Sequence, residues 1–178
     1  RTWSDTISLH KSNFDTHGYT VHPVFLINFP DKKDMIAPVP YRALLPKGID
    51  GVIVTGLGMS AHRDAMPILR MQPCIQNQGY AAGIAAAKIA EQGIPMRSLD
   101  VRALQEELVE IGSLPPEIVE AKDSEDPADE VVAAAVESVV DEYKGLAILL
   151  DQKERAVPLL REALETTDES ESKLIYAN

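Results

Sequence analysis

The sequence predicts a mixed first region, of the α+β or the α/β class, followed by a small all-α region. β-Branched and aromatic residues cluster in short extended stretches of the first part, whereas apolar residues recur at helical spacing after residue 130. The charge divides in a similar way. Residues 1–114 hold 11 acidic and 11 basic side chains, and residues 115–178 hold 17 acidic and 6 basic ones, so the second part carries the whole net charge of −11. Such a split indicates two units with different surfaces.

Composition excludes several classes of protein. The single cysteine, Cys74, rules out an internal disulfide. His10, His17 and His22 have no ligand-like spacing, so we predict no metal site. The acidic second part lacks the basic patches that nucleic-acid binding needs, and the absence of any run of eighteen apolar residues predicts no membrane span. The chain starts without a methionine and stops within a helical pattern, so we expect a segment of a longer protein.

Three extended segments are predicted in the first region. Residues 20–29 are β-branched and aromatic, which predicts a strand, and Pro23 favours its edge or its end. Met35–Leu45 is predicted to be extended, because its prolines remove amide donors and keep their neighbours out of helix. Val52–Thr55 is a short apolar run, which predicts a strand that is buried on both faces. This strand leads directly into Gly56-Leu57-Gly58.

A helix rich in small residues is predicted to begin near Pro73. A proline suits the first turn of a helix, and Gly93 can adopt the left-handed conformation that closes one. Gly79 and Gly83 lie four residues apart on one face among alanines, a pattern that favours close packing of the helix on a sheet. Cys74 lies in the first turn, where a small buried residue is the ordinary interpretation and a nucleophile the alternative.

A second helix is predicted over Val101–Ile111. Asp100 is its expected N-cap, a single apolar stripe follows its face, and Gly112 is expected to close it. We interpret residues 1–112, which end with this helix, as one domain segment.

Residues 113–130 are predicted to be a linker, because prolines and acidic residues interrupt every regular pattern there. Short amphipathic helices are predicted through residues 131–178, which form an acidic helical segment. Within it, Ala156–Leu164 resembles the second helix of a HEAT-type repeat, a unit that buries its apolar face only by stacking on neighbours. An unrelated helical bundle is the alternative.

The turn Gly56-Leu57-Gly58 and the start of the small-residue helix form a candidate binding site. Glycines let a ligand approach the backbone, and a helix start presents unpaired N–H groups with a partial positive charge. Together they suit an anionic or electron-rich group, such as a phosphate or the pyrimidine edge of a flavin. A tight structural turn is the alternative, because the pattern lacks the third glycine of the dinucleotide fingerprint.

Several motifs occur in an order that resembles a known family. That order is similar to the C-terminal part of a bacterial family of FAD-dependent oxidoreductases with a glutathione-reductase-like flavin domain. The resemblance covers roughly residues 1–112, and the following helical segment resembles the HEAT-like extension of some members. The motifs are Pro40–Gly48, Val52–Gly56, Ser60–His62, Leu69–Cys74 and Gln78–Gly83.

The resemblance implies an architecture and a set of contacts. An upstream βαβ unit of the same polypeptide would hold the adenosine and pyrophosphate of FAD, and this chain would supply the closing strand and helix of the FAD-binding domain, plus extra strands. The helix start would lie against the flavin pyrimidine and ribityl chain. The residues implied to bind the cofactor are Gly56, Leu57, Arg70, Met71, Gln72 and Cys74.

The resemblance also places His62 and Arg63 in a loop on the substrate side of the flavin. A histidine there could take a proton while hydride passes to the flavin, and an arginine could bind an anionic substrate or polarise a carbonyl. Ordinary polar residues of a surface loop are the alternative. The family usually has Gly-Arg where this chain has Gly56-Leu57, so one polar contact to the cofactor is missing.

These observations predict a C-terminal segment of an FAD-dependent oxidoreductase that acts on a small organic substrate. The isolated segment is expected to be inactive, because the fingerprint that holds the phosphates lies upstream. The alternative is a non-catalytic acidic helical interaction module fused to a small α/β domain.

Overall fold

A computed structural model of the protein describes residues 1–18, 20–27 and 33–177. It is a mixed α/β structure with a two-stranded sheet and, in this described part, eight helices. The strands and helices are, in chain order, β1 Thr6–Ser12, α1 Pro23–Ile27, β2 Met35–Pro40, α2 Met66–Leu69, α3 Gln72–Gln92, α4 Val101–Glu110, α5 Asp129–Ser138, α6 Leu146–Asp151, α7 Lys153–Thr166 and α8 Ser170–Ala177.

The chain divides into two compact units. The first contains residues 1–21 and 30–124, and the second contains residues 22–29 and 125–178. The 12 residues that follow the predicted segment 1–112 thus belong to the first unit. No described helix is long and apolar enough to cross a membrane.

The sheet of the first unit is an antiparallel pair. Strand β1 pairs with β2 in a register that places Thr6 opposite Pro40 and Leu9 opposite Pro38. Both prolines of β2 are tolerated because a two-stranded sheet has only edge strands. His10 is completely buried in β1, and burial lowers its pKa, so the imidazole is neutral at pH 7. The extended prediction is confirmed for Met35–Pro40, but the chain then turns into a 3-10 helix at Tyr41–Leu44.

Helix α3 packs its alanines against β1. Ala81, Ala82 and Ala85 are buried, and their small side chains let the helix backbone lie close to the strand. The predicted ends are confirmed, since Pro73 lies in the first turn and Gly93 closes the helix with φ of 62°. The prediction that Gly79 and Gly83 would pack closely is wrong. Both are exposed, with no atom within 4 Å of the position that a Cβ would take.

Helix α4 completes the core of the first unit. Its predicted N-cap is confirmed, because the Asp100 side chain accepts a hydrogen bond from the Ala103 amide at 3.0 Å. Gly112 follows the helix with φ of 75°. The buried apolar residues of this core are Ile7, Val39, Tyr41, Leu44, Met59, Leu69, Ala81, Ala82, Ala85, Leu99, Leu104, Leu108 and Leu114.

The segment after α4 is bound to the N-terminal residues by a polar network. The Arg42 guanidinium bonds to the Asp5 carboxylate at 2.7 Å and to both carboxylate oxygens of Asp123 at 2.9 Å. The Thr2 amide donates to the Ser124 hydroxyl oxygen, and the Ser124 amide donates to the Thr2 carbonyl. The Ser4 amide and the Arg42 guanidinium hold the pKa of Asp123 at about 2. The Asp123 carboxylate therefore stays ionised over the range in which most proteins are stable.

Two predicted strands are wrong. Residues 23–27 form helix α1, in which the His22 carbonyl accepts from the amides of Phe25 and Leu26, while residues 28 and 29 lie outside the described part. A proline starts a helical turn well, and this effect outweighs the β propensity of the residues after it. Val52–Thr55 is irregular, and Val52 is 46% exposed. Within the described part of the chain, its backbone pairing is one bond from the Val54 amide to the Leu44 carbonyl.

The second unit packs α5, α6, α7 and α8 around a smaller core. Its buried apolar residues are Val132, Ala135, Val136, Val139, Leu149 and Ala156. The predicted helical segments are confirmed, with Pro158 inside α7, whereas the HEAT-like repeat stays a prediction. Gly145, at the start of α6, has φ of 80°, and a Cβ built there would lie 2.8 Å from the Ala135 Cα.

Replacing this glycine is expected to destabilise the second unit. In Gly145→Ala, the alanine would be held in a left-handed backbone conformation, which is strained, and its Cβ would collide with the backbone of α5. Together these two effects cost about 2–4 kcal/mol of unfolding free energy. Gly93→Ala is the control, because Gly93 has a similar φ but open space around it. Hydrogen exchange of the α5 amides measures the loss in Gly145→Ala, and that of the α3 amides measures the loss in Gly93→Ala. Equal losses in the two variants would show that the contact with Ala135 is unimportant.

Candidate functional site

The glycine turn is held against helix α3 by one buried side chain. Gly56–Gly58 form a 3-10 turn, and the Gly56 amide donates to the Gln78 Oε1 at 2.7 Å. The Gln78 Nε2 donates in turn to the Met59 sulfur at 3.2 Å. Gln78 is completely buried, so both ends of its carboxamide are satisfied inside the protein. The Gln78 side chain therefore holds the Gly56–Gly58 turn beside the N-terminal part of α3.

The glycines of this turn face the protein itself. Gly56 adopts φ of 64°, and a Cβ there would lie 3.5 Å from the Ile75 side chain. A Cβ on Gly58 would lie 2.7 Å from the Val54 Cγ1, so the Val54 side chain or the turn would have to shift. The two glycines therefore serve the turn and its packing. Leu57 between them is 70% exposed.

The N-terminus of α3 is open. Met71 is the N-cap residue, and none of the described side chains caps the helix. The first helical bond runs from the Ile75 amide to the Met71 carbonyl at 2.9 Å. Gln72 and Pro73 are exposed, and Met71 and Cys74 are half-buried. Because a proline has no amide hydrogen, the leading donors of this helix are the amides of Gln72 and Cys74.

Cys74 has a structural contact. Its sulfur accepts from the Lys11 amide at 3.4 Å and lies 3.6 Å from the Lys11 carbonyl oxygen. The thiol thus contacts the backbone of β1 at the place where α3 begins. The prediction of a small buried residue is only partly met, since Cys74 is half-buried.

His62 is held in one orientation by the following turn. Its Nδ1 accepts a hydrogen bond from the Asp64 amide at 3.1 Å, so this ring nitrogen carries no proton. In the neutral imidazole the proton is therefore on Nε2. The Asp64 carboxylate is buried and accepts from the Val21 amide at 2.8 Å. The loop at His62 is thus fixed on two sides.

Arg63 and Arg70 line the same cavity, which has a volume of about 260 Å³. The Arg70 guanidinium donates to the backbone oxygen and to the carboxylate of Asp15, each at 3.0 Å. The His17 imidazole lies 3.6 Å from the other oxygen of that carboxylate. This cavity is rich in charged groups of both signs.

His62 lines a different cavity from Arg63. The second cavity has a volume of about 240 Å³, and Trp3, Met59 and Leu69 are among its walls. The two adjacent residues that the sequence predicted as catalytic therefore face different spaces. The other predicted residues lie near the start of α3, at Gly56, Leu57, Arg70, Met71, Gln72 and Cys74.

Sequence reasoning missed the roles of two residues in this region. Gln78 stood within a polar run, and nothing in the sequence indicated that its carboxamide is buried. Asp64 follows two predicted site residues, but its partner, the Val21 amide, lies 43 residues away. Among residues 1–18, 20–27 and 33–177, no group of three or more His, Cys, Asp or Glu side chains could hold a metal ion.

Comparison with known proteins gives one finding. A family described as FAD dependent oxidoreductase matches residues 1–108, which is more than half of the chain. No curated protein and no solved structure matches significantly.

The buried bond of Gln78 is expected to stabilise the first unit. Gln78→Leu keeps the size of the side chain but leaves the Gly56 amide buried without a partner, which costs about 1–3 kcal/mol of unfolding free energy. Gln76→Leu is the control on the exposed side of α3 and is expected to change stability by less than about 0.5 kcal/mol. Denaturant unfolding measures both. Similar stabilities would mean that the turn does not depend on Gln78.

Proposed function

Because this chain belongs to the FAD-dependent oxidoreductase family, we propose that its first unit supplies the flavin-facing helix N-terminus and the substrate-side loop of such an enzyme. FAD is the cofactor of the parent protein. The dinucleotide-binding unit that holds the phosphates lies upstream in the same polypeptide. The substrate is a small organic molecule that is oxidised by hydride transfer.

The open N-terminus of α3 is the observation that carries this proposal. A 21-residue helix that begins without a side-chain cap presents the amides and the positive pole of its N-terminus to whatever lies beyond. The glycine turn is held beside this helix by Gln78. An exposed helix start that belongs to a flavoprotein family suits the electron-rich edge of a flavin.

The residues at this end of α3 fit such a group. The amides of Gln72 and Cys74 would donate to the pyrimidine edge, with Met71 and Leu57 beside it. Bound FAD supplies the hydride-accepting chemistry. The positive end of α3 would stabilise negative charge on the cofactor, by about 0.3–1 kcal/mol for a helix end in water and by more where water is excluded.

His62 and Arg63 are assigned to the substrate side. Because Nδ1 of His62 accepts from the Asp64 amide, its Nε2 is the protonated nitrogen. The Nδ1 of His62 is thus already engaged, so this nitrogen is not the base for a substrate proton. Arg63 and Arg70 both line the neighbouring cavity, in which Asp15 offsets the charge of Arg70.

A charged side-chain cap at position 71, in place of Met71, is expected to raise the stability of the chain and to weaken cofactor binding. Met71→Asp can accept a bond from the Cys74 amide, which should stabilise the 178-residue chain by about 0.5–2 kcal/mol. In the full-length protein the same carboxylate would occupy the amide and repel negative charge on the flavin. We expect flavin retention to fall about two- to fivefold and the reduction potential to become more negative.

Two controls distinguish the effects of this substitution. Met71→Ser caps the helix without adding charge, and Met71→Leu does neither. A full-length Met71→Asp protein that keeps the flavin content and the potential of the wild type would contradict the proposed position of the flavin. Thermal unfolding, flavin absorbance and redox titration measure the three quantities.

The 178-residue chain is expected to be colourless, whereas the full-length protein is yellow. The physical reason is that the phosphates of FAD are held upstream, by a strand followed by Gly-x-Gly-x-x-Gly. Absorbance of both proteins after gel filtration measures bound flavin. A flavin band that stays with the 178-residue chain would contradict this expectation. An upstream sequence without that fingerprint would favour the acidic interaction module.

A further inference from the structure

We propose that the groove between α5 and α7 binds a basic amphipathic helix of a partner protein. The apolar side chains of that helix would lie on the floor of the groove, and its lysine or arginine side chains would contact glutamates along the sides. This inference goes beyond the proposed function and does not depend on it, because the groove belongs to the second unit and the flavin-facing helix to the first. It rests on the floor of the groove, on its charged groups and on the net charge around it.

The floor of the groove is apolar. The groove has a volume of about 490 Å³ and follows the first two turns of both helices, where its floor is formed by Val132, Ala133, Pro158 and Leu159. Val132 belongs to the core of the second unit and Leu159 packs against that core, so the floor is supported from below. Pro158 is exposed and Ala133 is half-buried. An apolar groove between two helices is a surface into which an amphipathic helix commonly lays its apolar face.

An ion pair closes one end of the groove. The Arg155 guanidinium binds the Asp129 carboxylate, and it also donates to the Pro127 carbonyl and to the Gln152 Oε1, each at 2.9 Å. These bonds hold the first turn of α7 to the start of α5. Because Asp129 offsets the charge of Arg155, this end of the groove is not basic.

Three glutamates without a partner lie along the groove. Glu130 lines it. Glu137 lies four residues after Ala133 in α5, so it continues one side of the groove by a helical turn. Glu162 lies four residues after Pro158 and does the same in α7. All three are exposed, and within the described part of the chain none of their carboxylates forms a hydrogen bond or an ion pair.

The net charge around the groove selects the kind of partner. Residues 125–178 of the second unit hold 14 acidic and 5 basic side chains, which gives a net charge of −9. This charge repels nucleic acid, anionic lipid and a second copy of the same surface, whereas it attracts a basic partner and speeds its association. An apolar floor between acidic sides therefore matches a helix that is apolar on one face and basic beside it.

Peptide binding to the full-length protein and to the 178-residue chain tests the proposal. The probe is a dye-labelled peptide of about 15 residues, with leucine on one helical face and lysine on the other. One control peptide has the same residues in an order that spreads the leucines around the helix, and another has glutamate in place of lysine. We expect the probe to bind about tenfold more tightly than either control at about 150 mM salt, which screens long-range attraction. Fluorescence anisotropy measures the binding.

Charge variants show where the peptide binds. The double variant Glu130→Gln and Glu162→Gln should weaken binding of the probe about fivefold, because an exposed ion pair contributes about two- to threefold. The double variant Asp168→Asn and Glu171→Gln is the matched control. It removes the same charge from exposed positions that do not line the groove, and Glu171 lies in the first turn of α8 as Glu130 does in that of α5. We expect it to weaken binding less than about twofold.

A variant of the floor distinguishes the groove from general acidity. Ala133→Gln places a polar side chain on the floor without a change of charge and should weaken binding of the probe about fivefold, because an apolar contact is lost. Ala134→Gln, at the exposed neighbouring position, is the control with the same change in helix propensity. Thermal unfolding of both variants shows whether the second unit is intact. The charge variants leave the floor unchanged, so they test the proposal even where Ala133→Gln is unstable.

Four outcomes would overturn the proposal. The first two are a probe that binds no better than its controls, and equal losses in the two double variants. The third is self-association of the chain that Ala133→Gln abolishes, which would make a second copy the occupant of the groove. The last is binding by the 178-residue chain but not by the full-length protein, which would mean that the rest of the polypeptide covers the groove. None of these measurements involves flavin, so they are independent of the proposed function.

Discussion

The carboxamide of Gln78 joins two parts of the chain that lie 22 residues apart, and the arrangement of the site follows from that bond. One end of the group accepts from the Gly56 amide in the turn, and the other donates to Met59, which leads into the loop at His62. Since Gln78 lies in the second turn of α3, the bond ties that loop to a fixed point on the helix. The two cavities lined by Arg63 and by His62 border the chain that continues from this point.

Local signals predicted the helices well because a helix is stabilised by residues that are close in sequence. The cap at Asp100 and the left-handed Gly93 depend on neighbours within a few residues, and both behave as their sequence patterns indicate. The strands were predicted less well, since a strand needs a partner that is distant along the chain. Val52–Thr55 has the composition of a buried strand, but among the described residues its backbone partner is Leu44, whose carbonyl accepts from the Val54 amide. Strand β1 was missed because its buried positions include Ser8 and His10.

The candidate site shows the same limit. The sequence predicted site residues at His62, at Arg63 and at the start of α3, and these residues do lie in one region of the first unit. The sequence did not reveal that residues 63–69 are helical, so the division of neighbouring side chains between two cavities was not predictable. The small-residue face of α3 was also misread, because periodicity identifies a face without telling which face is buried. Ala81 and Ala85 pack inward, whereas Gly79 and Gly83 face outward.

The bonds between Arg42 and Asp123 limit where recombination can join new C-terminal helices to the first unit. The sequence shared with the family ends at residue 108, but the first unit continues to Ser124, with Leu114 in its core. Recombination that joined new C-terminal helices at the family boundary would remove Leu114 and one of the two carboxylates of Arg42. A junction after Ser124 would preserve both. The best point for exchanging the acidic helical segment therefore lies after Ser124. Arg42, which lies much earlier in the chain, determines this point because Asp123 is one of its partners.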